Sequence, residues 1–330
     1  METLAYVRPD DVATAIALVS RDSGAQYLAG GPTELDLVLK DRVSTPDRLV
    51  DITRLPLRGI TRSGDALRVG ALVTMEELAA DPTVVERVPF VRDALLAGAS
   101  TQIRNMATIG GNLLQRARCR YFRDPTVPDC NKRTPGSGCA AVAGAARMHA
   151  ILGASEHCIA LHASDLCVPL VALTAIVHIQ GAGGERSVPL TEFYILPRDR
   201  PDLENVLEHG ELITAVEIPL LPVRARSGYL KVRDRTSYEF ALTSVAAALV
   251  IEDGRILEAR LALGGVGTIP WRVREAEEIL TAAPASSDTF RSAAEAAIPD
   301  PFTVPGTAFK VELAQRTVVR ALQTLSGIQP

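Results

Sequence analysis

Apolar positions in the first third of the chain alternate between helical and strand spacing. From Asp10 to Arg21, Val12, Ala15, Ile16 and Leu18 follow a helical period behind an acidic start, and "AQYLAGG" (25–31) reads as a short strand ending in glycine. This is the opening of a β-α-β rhythm. Helical spacing resumes from Glu34 to Lys40, and "RLVDI" (48–52) and "ALRVGAL" (66–72) read as further strands, so that residues 1 to about 60 form one α/β lobe. "TMEELAA" and "PFVRDALLAGA" are helical, offering Met75, Leu78, Phe90 and Leu95 for burial. A helix is expected from Ser164 to Leu173, a strand from Ala175 to Gln180, and an alternating strand in "ELITAVEIPL" (211–220). Pro219 and Pro222, followed by a basic stretch, place a boundary near residue 222. Beyond it, "SGYLKVRDR" and two apolar runs joined by Asp253-Gly254 predict a sheet with a tight hairpin, and from Trp271 the pattern turns helical to the end. No internal repeat is present.

Residues 116 to 150 break this order. "RARCRYFRDPTVPDCNKRTPGSGCAAVAGAARMH" carries no sustained period, and a long irregular insert inside a domain is usually functional or disordered. The chain has 330 residues, enough for two domains, and its 47% hydrophobic content is that of a globular protein. A formal charge of −4 gives no overall electrostatic case for nucleic acid as partner. The longest apolar stretches, Val168 to Ile179 and Phe240 to Ile251, are polar-interrupted and too short to span a bilayer. "METLAYVRPD" lacks a basic n-region and an apolar h-region, so no secretory signal peptide is expected in this chain.

All five cysteines, Cys119, Cys130, Cys139, Cys158 and Cys167, fall within 49 residues. An odd number in a large chain without a signal peptide argues against a disulfide framework and for metal or redox chemistry. Spacings of 11, 9 and 19 between the first four match neither a ferredoxin run nor paired C-x-x-C zinc knuckles. Charge is more informative. Residues 113 to 158 hold seven Arg or Lys against Asp124, Asp129 and Glu156, a field that stabilises an anionic cluster of thiolates. Structural zinc could use the same field, and free buried thiols need no metal at all. Cys167 reads as core.

Two glycine turns carry the other chemistry. "AGGPTEL" (29–35) lies between a predicted strand and a predicted helix, where consecutive glycines let backbone amides approach a phosphate. Alone, it could simply be a connecting turn, since it is neither G-x-G-x-x-G nor a Walker loop. "IRNMATIGGN" (103–112) repeats the chemistry about 80 residues later, and two such loops could grip one dinucleotide pyrophosphate. No G-x-S-x-G, H-E-x-x-H or paired carboxylate constellation for hydrolysis is present. His149, His157 and His162 are isolated histidines near the insert.

The order "AGGPTEL", "IRNMATIGGN" and an aspartate followed by "LCVPLVAL" resembles the FAD-binding subunits of molybdenum hydroxylases, a family that includes xanthine dehydrogenase, carbon monoxide dehydrogenase and aldehyde oxidoreductases. The resemblance covers essentially the whole chain. It implies an α+β fold: an FAD-binding PCMH-type domain at 1–222, made of two α/β lobes (about 1–60 and 61–222), and a C-terminal α/β flavoprotein domain of the carbon monoxide dehydrogenase type at 223–330. By the resemblance, Tyr27, Leu28, Ala29, Gly30, Gly31, Pro32, Thr33, Glu34 and Leu35, with Thr108, Gly111 and Asn112, surround the FAD diphosphate and neighbouring sugar. Asp165 would accept a hydroxyl hydrogen bond from the ribityl or ribose chain, although an Asp before an apolar helix is also an ordinary N-cap. Lys231 would place a positive charge near the isoalloxazine, and Ile213 would pack against the ring. Pro32 departs from the phosphate-binding logic because it has no amide hydrogen, a loss that the Thr33 hydroxyl could offset.

The insert (about 116–160) looks like the iron-sulfur insert of periplasmic aldehyde oxidoreductase flavoprotein subunits, and the 4-hydroxybenzoyl-CoA reductase flavoprotein subunit has a comparable one with different spacing. The resemblance makes Cys119, Cys130, Cys139 and Cys158 the ligands of one 4Fe-4S cluster. It also implies partners: a small subunit with two 2Fe-2S clusters and a large molybdopterin subunit that oxidises the aldehyde, in a heterotrimer. The expected location is cytoplasmic, or periplasmic by co-export on a twin-arginine signal of the small partner. Two other readings stay open here: a 4-hydroxybenzoyl-CoA reductase-like subunit with reversed electron flow, and a zinc-stapled docking module in which FAD is structural.

Overall fold

The computed structural model describes residues 4–328; Met1 to Thr3 of the N-terminal stretch and Gln329 and Pro330 lie outside the described residues. Three sheets organise the chain. β1 (Ala5–Val7), β2 (Ala25–Leu28) and β3 (Arg48–Asp51) form a parallel sheet in the order β1-β3-β2. The helix Val12–Ser20 crosses between β1 and β2, capped by Asp11, whose carboxylate accepts the Thr14 amide at 2.8 Å. Its buried face (Ala15, Ile16, Val19) packs with Ala25 and Val50 in a small core of its own.

β4 (Ile60–Ser63), β5 (Ala66–Gly70), β6 (Ile176–Gly181), β7 (Gly184–Pro189) and β8 (Leu212–Pro219) form an antiparallel sheet in the order β4-β5-β8-β6-β7. Helices Met75–Ala80, Pro89–Ala97 and Cys167–Ala172 cover it, and Leu78, Phe90, Leu95 and Val168 join its core. The helix before β6 is shorter than the Ser164–Leu173 span the pattern predicts. It begins at Cys167 with Leu166 at the N-cap position, and the Cys167 amide is accepted by the Ser164 hydroxyl at 3.1 Å. Asp165 is therefore not the cap, and its carboxylate is free for another use.

β9 (Arg226–Val232), β10 (Thr243–Glu252), β11 (Arg255–Gly264) and the short β12 (Trp271–Arg272) make the third sheet, antiparallel in the order β12-β11-β10-β9. Asp253 and Gly254, with φ of 49° and 75°, supply the two left-handed residues of the β10–β11 turn. β10 reads as a continuous apolar run because both its faces are covered: Ala246 and Ala248 face the central core, while Val245, Ala247 and Leu249 pack under the C-terminal helices. Three helices close the chain, Arg274–Leu280, Ser287–Ala296 and Phe309–Ser326.

The insert is ordered by polar contacts, which explains its missing periodicity. The Asn131 amide donates to the Gly138 carbonyl at 2.7 Å, the Gly138 amide returns to Asn131 Oδ1 at 2.9 Å, and Arg133 donates to the carbonyls of Tyr121, Phe122 and Val127. It is also stitched to the C-terminal sheet, with the Ile151 amide donating to Val266 at 2.8 Å. Lys310, wholly buried, donates to the carbonyls of His149 at 2.9 Å and Gly265 at 2.7 Å. Burial pushes the Lys310 pKa down to about 7 from 10.5. Below that pH the ammonium is charged in both states and the folded chain carries the full burial penalty. As pH rises, the folded lysine gives up its proton before the unfolded one does, so its contribution to stability rises between about pH 7 and about pH 10. Urea midpoints measured near each end of that window should differ more for the wild type than for Lys310→Met; equal slopes would show that the two carbonyls keep the ammonium charged.

Candidate functional site: a cleft between two glycine turns and a four-thiol cavity

A cleft of about 540 Å³ runs along both glycine turns and reaches the third sheet. The turns touch backbone to backbone: a methyl on Gly30 would lie 1.8 Å from the Met106 carbonyl oxygen. The second turn is pinned from below, with the Ile109 and Gly110 amides donating to Val73 and Ala71 at 2.8 and 2.9 Å, and the Met75 amide donating to Ala107 at 2.9 Å. Gly31 adopts φ 88° to enter the helix Pro32–Leu35, and the Thr108 hydroxyl accepts the Gly111 amide at 3.2 Å. The Ile109, Gly110, Gly111 and Asn112 amides thus all have partners within the protein, and what the two turns offer an anionic diphosphate is the close backbone approach that glycine allows.

The residues the sequence nominates are mostly brought together here. Tyr27, Ala29, Gly30, Gly31, Pro32, Thr33 and Glu34 line the cleft, as do Thr108, Gly111, Asn112, Asp165, Ile213 and Lys231. Leu28 and Leu35 do not: their side chains lie beside Gly31, within 3.5 Å of where a methyl on that glycine would sit, and Leu35 is exposed. The Tyr27 hydroxyl donates to the Gly210 carbonyl at 2.7 Å. Burial raises the pKa of Glu34, whose Oε1 has no partner.

Asp165 lies at the centre of a buried network. It accepts Lys231 Nζ at 2.7 Å and the Tyr229 hydroxyl at 2.6 Å, and Lys231 also donates to the Ala97 carbonyl at 3.1 Å. Burial, with the Asp165 charge next to it, raises the Tyr229 phenol well above its ordinary range, so Tyr229 stays a donor. The carboxylate thus joins the helix Cys167–Ala172 to β9 and holds the lysine against the cleft. Residues that sequence reasoning missed as cleft lining include Met75, Gln115, Arg116, Arg118 and Phe240. The two arginines carried a signal, an R-x-R pair immediately before Cys119, but sequence assigned them only to the field around the cysteines.

Cys119, Cys130, Cys139 and Cys158 line a separate small cavity with Asn131, Lys132 and His157. Cys130 and Cys139 face each other across a backbone bridge, and none of the five cysteines is in a disulfide. Burial pushes the Cys119 thiol up to about 11 although the Phe122 and Tyr121 amides pull the other way, and burial raises Cys158 likewise. His149 Nε2 lies 3.2 Å from Cys119 Sγ, and burial lowers that imidazole to about 4, so it is neutral. Among the described residues no group of three or more His, Cys, Asp or Glu is drawn together tightly enough for one metal ion. Cys167 is fully buried and lies 3.0 Å from the Tyr194 hydroxyl, a core residue.

Residues 2–221 match the family described as FAD binding domain in molybdopterin dehydrogenase. The chain belongs to that family. Residues 228–325 match the CO dehydrogenase flavoprotein C-terminal domain. The chain is similar to the aldehyde oxidoreductase FAD-binding subunit PaoB of Escherichia coli, 45% identical over 98% of each chain. It is also similar to the carbon monoxide dehydrogenase medium chain of Afipia carboxidovorans, 26% identical over 83% of this chain and 78% of that one. Among solved structures it resembles a chain of the carbon monoxide dehydrogenase from Hydrogenophaga pseudoflava, with a TM-score of 0.76 and 25% identity over 99% and 98% of the two chains. As a member of this family the chain is an FAD-binding medium subunit of the molybdenum hydroxylase type, an oxidoreductase subunit with the expected α+β fold. No described helix is long and apolar enough to cross a membrane.

Proposed function

We propose that this chain is the FAD and iron-sulfur electron-transfer subunit of a molybdenum-containing aldehyde oxidoreductase. The observation that carries the reading is that a chain 45% identical to PaoB joins an FAD-type cleft to a second cavity lined by four thiols. Bound in the cleft, FAD would supply electron exchange between the partners' centres and an external acceptor, and a 4Fe-4S cluster would supply one-electron exchange. The glycine turns would hold the diphosphate, Asp165 the sugar chain, and Lys231 and Ile213 the isoalloxazine. Cys119, Cys130, Cys139 and Cys158 would hold the cluster. The fit is chemical: a cationic centre binds the thiolates and the thiol protons are released to solvent, which relieves the burial that raises the Cys119 and Cys158 thiols, and the Ala160 amide already donates to Cys158 Sγ at 3.4 Å. Four thiols around one cavity are the number of ligands that a 4Fe-4S cluster takes, and zinc takes the same number, so the preference for the cluster rests on the resemblance of the insert.

The domains in this reading are 1–222 and 223–330, and the partners are a small 2Fe-2S subunit and a large molybdopterin subunit where the aldehyde is oxidised. The assembly is cytoplasmic or is exported on the small partner's twin-arginine signal. Anaerobic purification with iron, zinc and flavin counted per chain tests it. About four irons and one FAD are expected, with a dithionite-reduced EPR signal that Cys130→Ser abolishes. Bound zinc, or no metal with FAD retained, would reduce the insert to a scaffold. Titrating the assembled enzyme with aldehyde and with reduced ferredoxin decides the direction of electron flow.

A further inference from the structure

The insert does more than carry four thiols: it sends two arginines, Arg116 and Arg118, into the cleft, and one of them is only loosely held. Four cations line that cleft, Arg116, Arg118, Lys231 and Arg235. Three are firmly engaged. Arg116 binds Glu204 at 2.9 Å, Lys231 binds Asp165 at 2.7 Å, and Arg235 donates to the Tyr238 carbonyl at 2.6 Å. Arg118 is held loosely, at 3.3 Å from Asp36 and 3.4 Å from the Thr33 hydroxyl, and its Nε is buried without a partner. Its guanidinium carbon also lies 5.5 Å from the centre of the Phe240 ring, so the side chain bridges the first glycine turn, the insert and the C-terminal domain.

Its location coincides with a defect in the phosphate-binding turn. Pro32, the first residue of the short helix after Gly31, has no amide hydrogen, so the turn offers one donor fewer at that point. Thr33, the residue whose hydroxyl could offset the loss, is the residue that Arg118 touches. Arg118 makes one long contact from each of Nη1 and Nη2, so its planar fork keeps further N–H donors for a phosphate oxygen beside a turn that lacks the Pro32 amide. We propose that Arg118 is a ligand of the FAD diphosphate, supplying from the insert the donor that Pro32 removes. The inference rests on the reading that this cleft takes FAD. Asp36 competes for the same guanidinium and so weakens the contact.

The test uses the full chain stripped of flavin, with iron content and melting temperature matched between variants. FAD is titrated by fluorescence, and ADP, which has the diphosphate without the flavin, by displacement of FAD. Arg118→Met should raise the dissociation constants of both by about tenfold or more, Arg118→Lys by less, and Asp36→Asn should lower both. If Arg118→Met leaves both within about twofold of the wild type, or weakens FAD while sparing ADP, the guanidinium does not bind the diphosphate. If Arg118→Met does not fold, an Asp36→Asn protein that binds no tighter than wild type overturns the proposal by itself. A wild-type chain that binds no FAD would instead overturn the cofactor reading.

Discussion

Gly30→Ala is expected to leave a folded chain that no longer retains FAD. The added methyl would meet the Met106 carbonyl oxygen at 1.8 Å and its carbon at 2.7 Å, and both are backbone atoms that no rotamer change can move. Relief requires the two glycine turns to part by more than an ångström. The second turn cannot yield easily, because its amides are tied to Ala71 and Val73 and its Ala107 carbonyl to Met75. The first turn must therefore shift, and its amides leave the positions that a diphosphate needs. Overpacking of this kind costs about 1–3 kcal/mol or more, and about 3 kcal/mol taken wholly from binding is roughly a hundredfold in affinity. Leu37, a few residues after the first turn, packs with Cys130 and Cys158, so iron per chain is counted in the same samples to separate loss of flavin from loss of the insert. Gly183→Ala is the control, since nothing lies within 4 Å of a methyl there, and its FAD content should match the wild type. Full FAD occupancy with an unchanged dissociation constant in Gly30→Ala would show that the cleft is not the flavin site.

The hydrophobic pattern exposed most of the architecture because most elements bury one defined face. The strands Ala25–Leu28, Arg48–Asp51 and Leu212–Pro219 and the Asp253-Gly254 hairpin lie where the pattern places them. The edge strands β4 and β7 escaped it, since "ITRS" and "GERSVP" are largely exposed and have no apolar alternation to display. β1 is three residues long, with two of them exposed, and is recognisable only by its pairing with β3.

The site was legible where chemistry is local and illegible where it is made by distant segments. Glycine pairs announce close backbone approach, yet nothing in the string says that Gly30 packs on Met106, 76 residues away. Leu28 and Leu35 flank the glycine turn in sequence, yet neither lines the cleft. The choice between cap and ligand at Asp165 could not be made from sequence, because Ser164 and Asp165 are adjacent and both residue types cap well. Only the third dimension shows the serine at the helix and the aspartate on Lys231. Arg118 is a further case: its contacts to Thr33 and Asp36 cross more than 80 residues, and its neighbours in sequence point to the cysteines.

Asp165→Ala should be the most destabilising single change in the cleft. It leaves the Lys231 ammonium, whose side chain is 4% exposed, with the Ala97 carbonyl alone, and that carbonyl also accepts Arg233 at 2.9 Å. Tyr229 loses its acceptor at the same time. Breaking a buried ion pair by removing one partner costs about 3–5 kcal/mol, chiefly through the charge left unpaired, which for a chain of this size lowers the melting temperature by on the order of 10 °C. The comparison should be made on flavin-stripped protein, because bound FAD stabilises whatever binds it by mass action. Asp165→Ala combined with Lys231→Met removes the stranded charge, so most of the stability should return and the two effects should be far from additive. If Lys231 lies beside the isoalloxazine as proposed, Lys231→Met alone, which leaves the Asp165 carboxylate without its cation, should lower the midpoint potential of the bound flavin in a spectroelectrochemical titration, since no cation then offsets the negative charge gained on reduction. A double variant as unstable as Asp165→Ala would mean that the carboxylate stabilises through Tyr229 rather than the lysine, and an unchanged potential in Lys231→Met would place Lys231 in the fold and not in the redox site.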